Sequence, residues 1–210
     1  MEAVSEIERA IGAASRRPSG DPSAELARRV AERAAAEGLA DVAYATVDSP
    51  LGVLVVAATG RGLVRVSYDA ARPERVVEDL AERLSPRVVE APGRLDDVRR
   101  QLEEYFERRR REFELPLDWS LSGGFTRRVL RRAARIPYGG VVTYGEIARA
   151  AGNPRAHRAA GNAIGANPIP IVVPCHRVVR AGAALGGYGG GVERKRHLLE
   201  LEGALGGLRV

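Results

Sequence analysis

The chain has few of the residues that stabilise small secreted proteins or bind metal ions. Its 210 residues include one cysteine, Cys175, and three histidines, His157, His176 and His197. One cysteine cannot close an internal disulfide, and the same counts exclude a Cys-rich zinc site. We therefore expect neither a disulfide framework nor a bound metal.

Long apolar runs are also missing. No window approaches eighteen uninterrupted apolar residues, and the first fifteen residues carry three acidic side chains and form no basic leader. Apolar residues still make up 45% of the chain, which is enough for a packed core in one large domain or two small ones. These features predict a cytoplasmic globular protein that does not enter a membrane.

Acidic residues are scarce in the second half of the chain. Residues 1–120 hold 19 basic and 23 acidic side chains, whereas residues 121–210 hold 14 and 4. Positive charge concentrated in one half is typical of a surface that binds a polyanion. A GC-rich genome would explain why 32 of the 33 basic residues are arginine, but not why acidic residues become few.

Turn-forming residues divide the chain into three parts. We predict a helical extension over residues 1–40, whose two helices lie near 2–15 and 22–38. Residues 41–118 and 119–210 are predicted to form two domains, because a Pro- and Gly-rich connection separates a β-rich segment from a mainly helical one. The expected fold class is α+β.

The two predicted domains differ in their periodicity. Three β-rich runs between residues 42 and 68 predict an antiparallel sheet, and helices are expected near 73–84 and 94–110. In the second domain a helix is expected at 124–135, and residues 143–168 read as a helix, a Gly-Asn-Pro turn and another helix. The latter is a helix-turn-helix pattern, which is common in DNA-binding proteins.

The second helix of this pattern carries arginines beside small residues. Four alanines are expected to pack inward at helical spacing: Ala156, Ala159, Ala160 and Ala163. This leaves Arg155, Arg158 and Asn162 on another stripe. Such a face can approach nucleic acid closely, although a merely solvated basic face would show the same pattern.

The single cysteine follows the apolar segment "IPIVVP". A lone cysteine there is by default a buried, unreactive thiol, but three prolines constrain the backbone before Cys175, and His176 follows it directly. His176 could help to form a thiolate. Neighbours in an extended strand point to opposite faces, so either the chain turns at Cys175 or a water bridges the two groups. We expect a bridging water.

Glu202, near the C-terminus, lies at a position where helix periodicity and the helix dipole both disfavour a carboxylate. Glu202 lies in the last turn of the helix predicted for "VERKRHLLELEG", which ends at Gly203 as its C′ residue. It shares the inward stripe of Leu198 and Leu199, and it places negative charge at the negative end of the helix dipole. An inward carboxylate needs a partner, and an imidazole is one candidate. The alternative is an exposed glutamate on a frayed last turn.

Together these motifs resemble the O6-alkylguanine-DNA alkyltransferase family, also called methylated-DNA–protein-cysteine S-methyltransferases. The resemblance rests on "NPIPIV", "PCHRVV", "GGYGGG" and "LLELEG" after the helix-turn-helix, between Phe125 and Gly203. It continues more loosely through the "VDSPLG" hairpin to about residue 41. It implies an N-terminal ribonuclease-H-like domain, with an antiparallel sheet and helices, and a mainly α C-terminal domain with a winged-helix-like helix-turn-helix.

The resemblance also implies a reaction. Cys175 would take an alkyl group from guanine O6 in duplex DNA and keep it, which inactivates the protein after one turnover. His176 would accept the thiol proton through a water, and Glu202 would orient His176. Asn167 would act as a hinge that bonds backbone near the thiol, and Tyr144 would donate a hydrogen bond to the guanine ring. O4-alkylthymine is a further candidate substrate.

The remaining residues that the resemblance implies contact the base or the DNA. The substrate-binding group comprises Pro170, Val173, Tyr188, Gly189 and Gly190. The DNA-binding group comprises Arg158, Arg155, Asn162, Thr126 and Ala159. Arg158 would fill the gap left by a flipped nucleotide, from a helix lying in the minor groove. The implied partner is double-stranded DNA with an alkylated guanine, bound by a monomer without a cofactor or metal.

One position departs from the family pattern, and two other functions remain open. The family commonly has a serine where this chain has Gly189, so one hydrogen bond near the substrate O6 is absent or comes from backbone. A cysteine hydrolase would use the same Cys-His pair with turnover and an oxyanion hole. A DNA-binding regulator or non-transferring damage sensor would use the basic half without chemistry.

Overall fold

The computed structural model describes residues 25–26, 29–33 and 37–208. Helical structure is present at 25–26 and 29–33, within the predicted helix 22–38, whereas the predicted helix 2–15 lies outside the described residues. In the described part of the chain, no helix has the length and apolar character that crossing a membrane requires.

The elements that the sequence predicted in residues 37–208 occur in the predicted order, together with three short strands that it did not predict. The strands are β1 (Val42–Val47), β2 (Leu54–Thr59), β3 (Gly62–Ser67), β4 (Val88–Glu90), β5 (Val142–Thr143) and β6 (Val178–Val179). The α-helices are α1 (Pro73–Arg83), α2 (Asp96–Phe106), α3 (Gly124–Ala133), α4 (Tyr144–Ala150), α5 (His157–Gly165) and α6 (Val192–Leu201). Short 3-10 helices span Pro92–Leu95, Cys175–Arg177, Ala181–Ala183 and Leu205–Gly207.

The N-terminal sheet is mixed, with strand order β3-β2-β1-β4. The first three strands form the predicted antiparallel meander, in which Val42 lies opposite Thr59. The sheet also contains a fourth strand that was not predicted, β4, which runs parallel to β1 and places Val88 opposite Val42. Three residues are too few to show a strand period in sequence, and the crossover through α1 sets the direction of β4.

The two faces of this sheet are covered by different helices. Adjacent strand residues point to opposite faces, so Val55 packs with Val76 and Leu80 of α1. Val56 packs on the other side with Leu102 of α2, in a cluster that continues into the C-terminal half. The two halves of the chain therefore share one continuous core.

A backbone hydrogen bond also joins the two halves beside the candidate site. The N–H of Val66 in β3 donates to the carbonyl of Pro168 at 2.9 Å. Pro168 lies in the segment that leads to Cys175, so β3 supports that segment from the N-terminal side.

The helix-turn-helix consists of α4 and α5. The Thr143 hydroxyl accepts from the N–H of Glu146, and the Glu146 carboxylate accepts from the N–H of Thr143, which forms a capping box that starts α4. The parallel ladder between β5 and β6 places Val142 opposite Val178. This ladder brings the start of α4 next to the segment that follows His176.

Two details of α5 correct the sequence prediction. The helix begins at His157, so Arg155 and Ala156 precede it rather than belonging to it. Ala160 and Ala163 are buried as predicted, but Ala159 is exposed. The buried stripe runs through Ala160, Ala163 and Ile164, and at about 100° per residue Ala159 lies about 90° from its centre.

Candidate active site

The segment before Cys175 is held by one side chain. The Oδ1 atom of Asn167 accepts from the N–H of Ile169 at 3.0 Å, and its Nδ2 donates to the carbonyl of Val173 at 2.8 Å. The same Nδ2 donates to Sγ of Cys175 at 3.0 Å. Asn167 therefore fixes the turn and touches the sulfur, in agreement with its predicted place beside the thiol.

The chain turns at Cys175, so the side chains of Cys175 and His176 do not point to opposite faces as they would in a strand. Cys175, His176 and Arg177 form a single turn of 3-10 helix, and all three are buried. Successive side chains of a 3-10 helix point about 120° apart rather than to opposite faces. One of the two alternatives left by the sequence is thus resolved, and the bridging water stays a prediction.

His176 and Glu202 form the predicted pair. Nε2 of His176 lies 3.0 Å from Oε1 of Glu202, and neither side chain is exposed. A carboxylate can only accept, so Nε2 carries the proton and Nδ1 holds the free lone pair. Nδ1 is buried and has no hydrogen-bond partner within residues 25–26, 29–33 and 37–208. The geometry therefore leaves Nδ1 as the basic atom of the ring.

The side chain of Glu202 points inward and is not exposed to solvent, so the alternative of an exposed glutamate on a frayed turn is wrong. It is the C-cap residue of α6, and Gly203 follows with φ +73°, a left-handed conformation that glycine tolerates without strain. The exposed fraction of Glu202 is 6%. Its spacing from Leu198 and Leu199 predicted this orientation correctly, because the helix continues to Leu201.

Two further partners of Glu202 were missed by the sequence analysis. Arg177 binds the carboxylate with two hydrogen bonds, Nε to Oε2 at 2.8 Å and Nη2 to Oε1 at 2.7 Å. The Tyr105 hydroxyl of α2 donates to Oε1 at 2.6 Å. A buried carboxylate needs a counter-charge, and that requirement could have indicated Arg177 in "PCHRVV". No local signal pointed to Tyr105.

The protonation states follow from burial and these contacts. Burial raises the pKa of the Cys175 thiol, although hydrogen bonds from Asn167 and Tyr188 oppose this shift. Burial lowers the pKa of His176, against the effect of Glu202. Burial opposes ionisation of Glu202, but hydrogen bonds from His176 and Arg177 prevail and lower its pKa to about 2. The resting site is thus a thiol, a neutral imidazole and a carboxylate.

A cleft of about 260 Å³ opens over the sulfur. Its lining includes four of the five predicted substrate-binding residues together with the thiol and the hinge asparagine: Pro170, Tyr188, Gly189, Gly190, Cys175 and Asn167. The fifth, Val173, is buried outside this lining, and its carbonyl accepts from Asn167. Four of the five residues predicted to bind substrate therefore meet at one cleft.

Tyr144 lines a neighbouring cleft that shares Tyr188 and Gly189 with the first. Its hydroxyl donates to the carbonyl of Gly187 across a long 3.4 Å. Burial, and then the nearby Cys175, raises the pKa of Tyr144, so the phenol stays protonated and remains a donor. The structure places Tyr144 beside the site rather than in its floor.

Comparisons with known proteins decide the family. Residues 124–204 match the model for the DNA-binding domain of 6-O-methylguanine DNA methyltransferase, and residues 42–119 match the model for its ribonuclease-like domain. The chain belongs to the 6-O-methylguanine DNA methyltransferase family. This is the family that the motifs around Cys175 resemble.

Individual relatives of the family agree along most of the chain. The methylated-DNA–protein-cysteine methyltransferase of Mycobacterium bovis is 44% identical over 160 residues, covering 76% of this chain and 91% of the relative. That of Methanosarcina acetivorans is 38% identical, covering 77% and 98%. A crystal structure of Mycobacterium tuberculosis OGT in complex with DNA matches with a TM-score of 0.65 and 41% identity, covering 77% of this chain and 93% of that one.

The family's DNA-binding domain presents an exposed basic face on this chain. Arg155, Arg158, Asn162 and Ala159 are exposed at or near α5, and Thr126 is half-buried in the first turn of α3. A separate cleft beside α3 is lined by four arginines: Arg128, Arg131, Arg132 and Arg135. The positive charge expected from the sequence is therefore displayed on the domain that matches the family's DNA-binding model.

Lys195 is a further buried group that the sequence analysis missed. Its Nζ donates to the carbonyls of Val178 at 2.7 Å, Leu185 at 2.5 Å and Gly187 at 3.3 Å, which uses all three ammonium protons. Burial lowers the pKa of Lys195 to about 8. Lys195 thereby ties the loop before Tyr188 to β6.

Gly189, where the family commonly has a serine, lies close to the backbone of Gly165. A Cβ at Gly189 would lie 3.2 Å from the carbonyl oxygen of Gly165, tighter than ordinary contact. The backbone of Gly189 itself lines the cleft over Cys175. The hydrogen bond that a serine would give must therefore come from backbone or be absent.

Proposed function

We propose that this chain repairs alkylated DNA by moving one alkyl group from guanine O6 to Cys175, once per molecule. The observation that carries the proposal is a cleft lined by Cys175, whose next residue, His176, is buried and paired with Glu202. Membership of the methyltransferase family supports the same reaction. O4-alkylthymine is a second substrate that the same displacement would accept.

The reaction balances with groups that line or adjoin the cleft. The S–C bond forms as the C–O6 bond breaks, and the electron pair of the broken bond stays on the guanine. The thiol proton passes through the predicted bridging water to Nδ1 of His176, and Glu202 stabilises the resulting imidazolium. The guanine takes up one proton as it leaves, and the imidazolium gives one up to the solvent, so His176 ends neutral. Tyr144, kept protonated by burial, donates a hydrogen bond while that negative charge develops.

A buried thiol with a raised pKa suits this scheme. Thiolate is the nucleophile, so a base must act when the thiol is not ionised at neutral pH. The neutral imidazole can do this because its Nδ1 is not engaged by other described residues. Glu202 is itself held by Arg177 and Tyr105, so it remains an anion and fixes the ring.

The target atom requires the nucleotide to leave the duplex. Rotating a base out of the stack costs a few kcal/mol, which a side chain filling the gap offsets in part. Arg158 is exposed in the first turn of α5 and is the residue proposed for this place. Contacts to phosphate are expected to dominate binding, with little sequence preference.

Two other functions are weaker candidates. A damage sensor without chemistry would not need the imidazole–carboxylate pair that lies behind Cys175. A cysteine hydrolase would need a paired oxyanion hole and release of the product. The family match supports transfer over both.

The proposal is tested with a duplex oligonucleotide containing O6-methylguanine. After incubation, intact-protein mass spectrometry should show a gain of one methyl group that saturates at one per protein, and peptide mapping should place it on Cys175. The matched control is the same duplex with guanine, which should leave the mass unchanged. Repeated turnover would contradict single use, and tight binding without a mass gain would favour the sensor.

Replacing Arg158 by alanine should separate base flipping from chemistry. We expect repair of duplex DNA to slow by about tenfold, because the side chain offsets part of a flipping cost of a few kcal/mol. Reaction with a free O6-alkylguanine base should change little. Second-order rate constants on both substrates give the comparison.

Arg75→Ala is the charge-matched control for Arg158→Ala. Arg75 is exposed in α1 of the N-terminal half, so its loss lowers the net charge equally without touching α5. Arg158→Ala variants that lose activity equally on duplex and free base would contradict the flipping role.

A further inference from the structure

Tyr68 reaches the cleft from the N-terminal half of the chain. It follows β3 and lines the cleft over the sulfur together with Cys175, Pro170 and Tyr188. Tyr68 is half-buried and packs against the core that joins the two halves. The ribonuclease-like domain therefore supplies part of the wall where the alkyl group would lie.

The Tyr68 hydroxyl is bonded to the hydroxyl of Tyr188. The two oxygens are 2.7 Å apart, and the rings meet edge to face with centroids 6.2 Å apart. Both tyrosines line the cleft together with Cys175, and Tyr188 opposes the rise in pKa that burial causes at that thiol. A hydroxyl has one proton to donate, so a Tyr188 that donates to sulfur must accept from Tyr68. With Tyr68 as the donor in the tyrosine pair, the proton of Tyr188 stays available to the sulfur.

Packing around the two rings leaves them little freedom. A Cβ at Gly190 would lie 2.5 Å from Cε2 of Tyr68 and 2.8 Å from Cε1 of Tyr188, so only glycine fits between the rings. Arg194 lies over the Tyr68 ring, with Cζ 4.7 Å from the ring centroid. Its Nη1 donates to the carbonyl of Gly190 at 2.9 Å, and its Nε donates to that of Leu51 at 3.2 Å.

We propose that Tyr68 is a specificity-determining and positioning residue, whose ring limits the size of the transferred group and whose hydroxyl holds Tyr188 against the thiol. The proposal rests on the proposed alkyl transfer. Burial raises the pKa of both phenols, so both remain protonated and able to donate at neutral pH. The ring of Tyr68 should therefore affect substrate size and its hydroxyl should affect the thiol, and the two effects can be tested separately.

Two variants separate the contributions. Tyr68→Leu removes the ring and widens the cleft, whereas Tyr68→Phe keeps the ring and removes the hydroxyl. Each variant is reacted with duplexes containing O6-methylguanine or O6-benzylguanine, and second-order rate constants are measured across pH. Tyr44→Leu and Tyr44→Phe are matched controls, because Tyr44 is half-buried in β1 of the same sheet and packs in a different cluster.

Distinct results are expected for the two variants. Tyr68→Leu should raise the ratio of benzyl to methyl rates by about tenfold, as a change of pocket size commonly does. Tyr68→Phe should keep that ratio and slow both reactions by about three- to tenfold, the contribution of one hydrogen bond. The pH profile of Tyr68→Phe should move to higher pH, since sulfur loses support for its ionised form.

Other results would contradict these roles of Tyr68. A Tyr68→Leu protein that loses both reactions equally, with the ratio unchanged, would overturn the specificity role. If Tyr68→Leu does not fold, Tyr68→Phe is the deciding variant. Unchanged rates and an unshifted pH profile in Tyr68→Phe would overturn the positioning role, and the proposal with it. Absence of transfer by the unaltered protein would instead contradict the proposed function itself.

Discussion

Replacing His176 by glutamine is expected to slow alkyl transfer at pH 7 by about 10²- to 10⁴-fold, the usual contribution of a general base. Glutamine retains a polar side chain beside Glu202 but has no basic nitrogen. Burial keeps the Cys175 pKa raised, so without Nδ1 little thiolate is available at neutral pH. The measurement is the second-order rate constant with O6-methylguanine duplex.

The pH dependence of the His176→Gln variant provides a sharper readout. Its rate should rise about tenfold per pH unit until the thiol ionises, since each unit multiplies the thiolate fraction by ten. The unaltered protein should be less sensitive, because His176 removes the proton during the reaction. His197→Gln is the matched control, as His197 is exposed in α6. A neutral-pH rate equal to that of the unaltered protein would contradict Nδ1 as the base.

Replacing Glu202 by glutamine should destabilise the fold as well as the site. The change leaves the Arg177 guanidinium buried without its anion, and removing one partner of a buried ion pair typically costs about 3–5 kcal/mol. Arg177 is 5% exposed, and without the anion it keeps its bond to the Ile136 carbonyl and its place over the Tyr138 ring, 5.8 Å from Cζ to the ring centroid. Urea denaturation followed by the fluorescence of Trp119 measures the free energy of unfolding.

The ionisation of Glu202 should also make the free energy of unfolding depend on pH. Its pKa is about 2 in the folded chain against an ordinary 4.5, so ionisation favours the folded state. This contribution, about 3 kcal/mol, is complete above pH 4.5 and is lost as pH falls towards 2. Glu202→Gln should lack this component, and its acid-induced loss of stability should be correspondingly smaller.

The control for Glu202→Gln is Glu200→Gln, in the last turn of the same helix. Glu200 is exposed, so the same change of charge should alter the free energy of unfolding by no more than a few tenths of a kcal/mol. Equal losses in the two variants would contradict the buried network as the source of stability. Alkyl transfer should fall only in Glu202→Gln, because that carboxylate orients His176.

Patterns with a clear period predicted the local structure well. The antiparallel meander, the helix-turn-helix and the inward direction of Glu202 all follow from spacings within a few residues. Short or irregular elements were harder to predict. β4 has three residues, and the run from Ile169 to Val173 bends instead of forming a strand, with Ile171 at φ +73°.

Contacts between distant parts of the chain could not be read from any local pattern. Tyr105 lies 97 residues before Glu202, and Tyr68 lies 120 residues before Tyr188. Period and composition indicate which face of an element is buried, but not which side chain of another domain covers it. The roles of Arg177 and Lys195 also depend on what burial places around them.

The sequence by itself determined the family, the order of the elements and the group of residues around Cys175, because these depend on motifs and spacings along the chain. Only the tertiary structure decided that Cys175 and His176 lie in a 3-10 turn and not in an extended strand. It also decided that the ribonuclease-like domain supplies Tyr105 and Tyr68 to the site. The reason is that packing two domains into one core sets which distant side chains meet, and no local period encodes that choice.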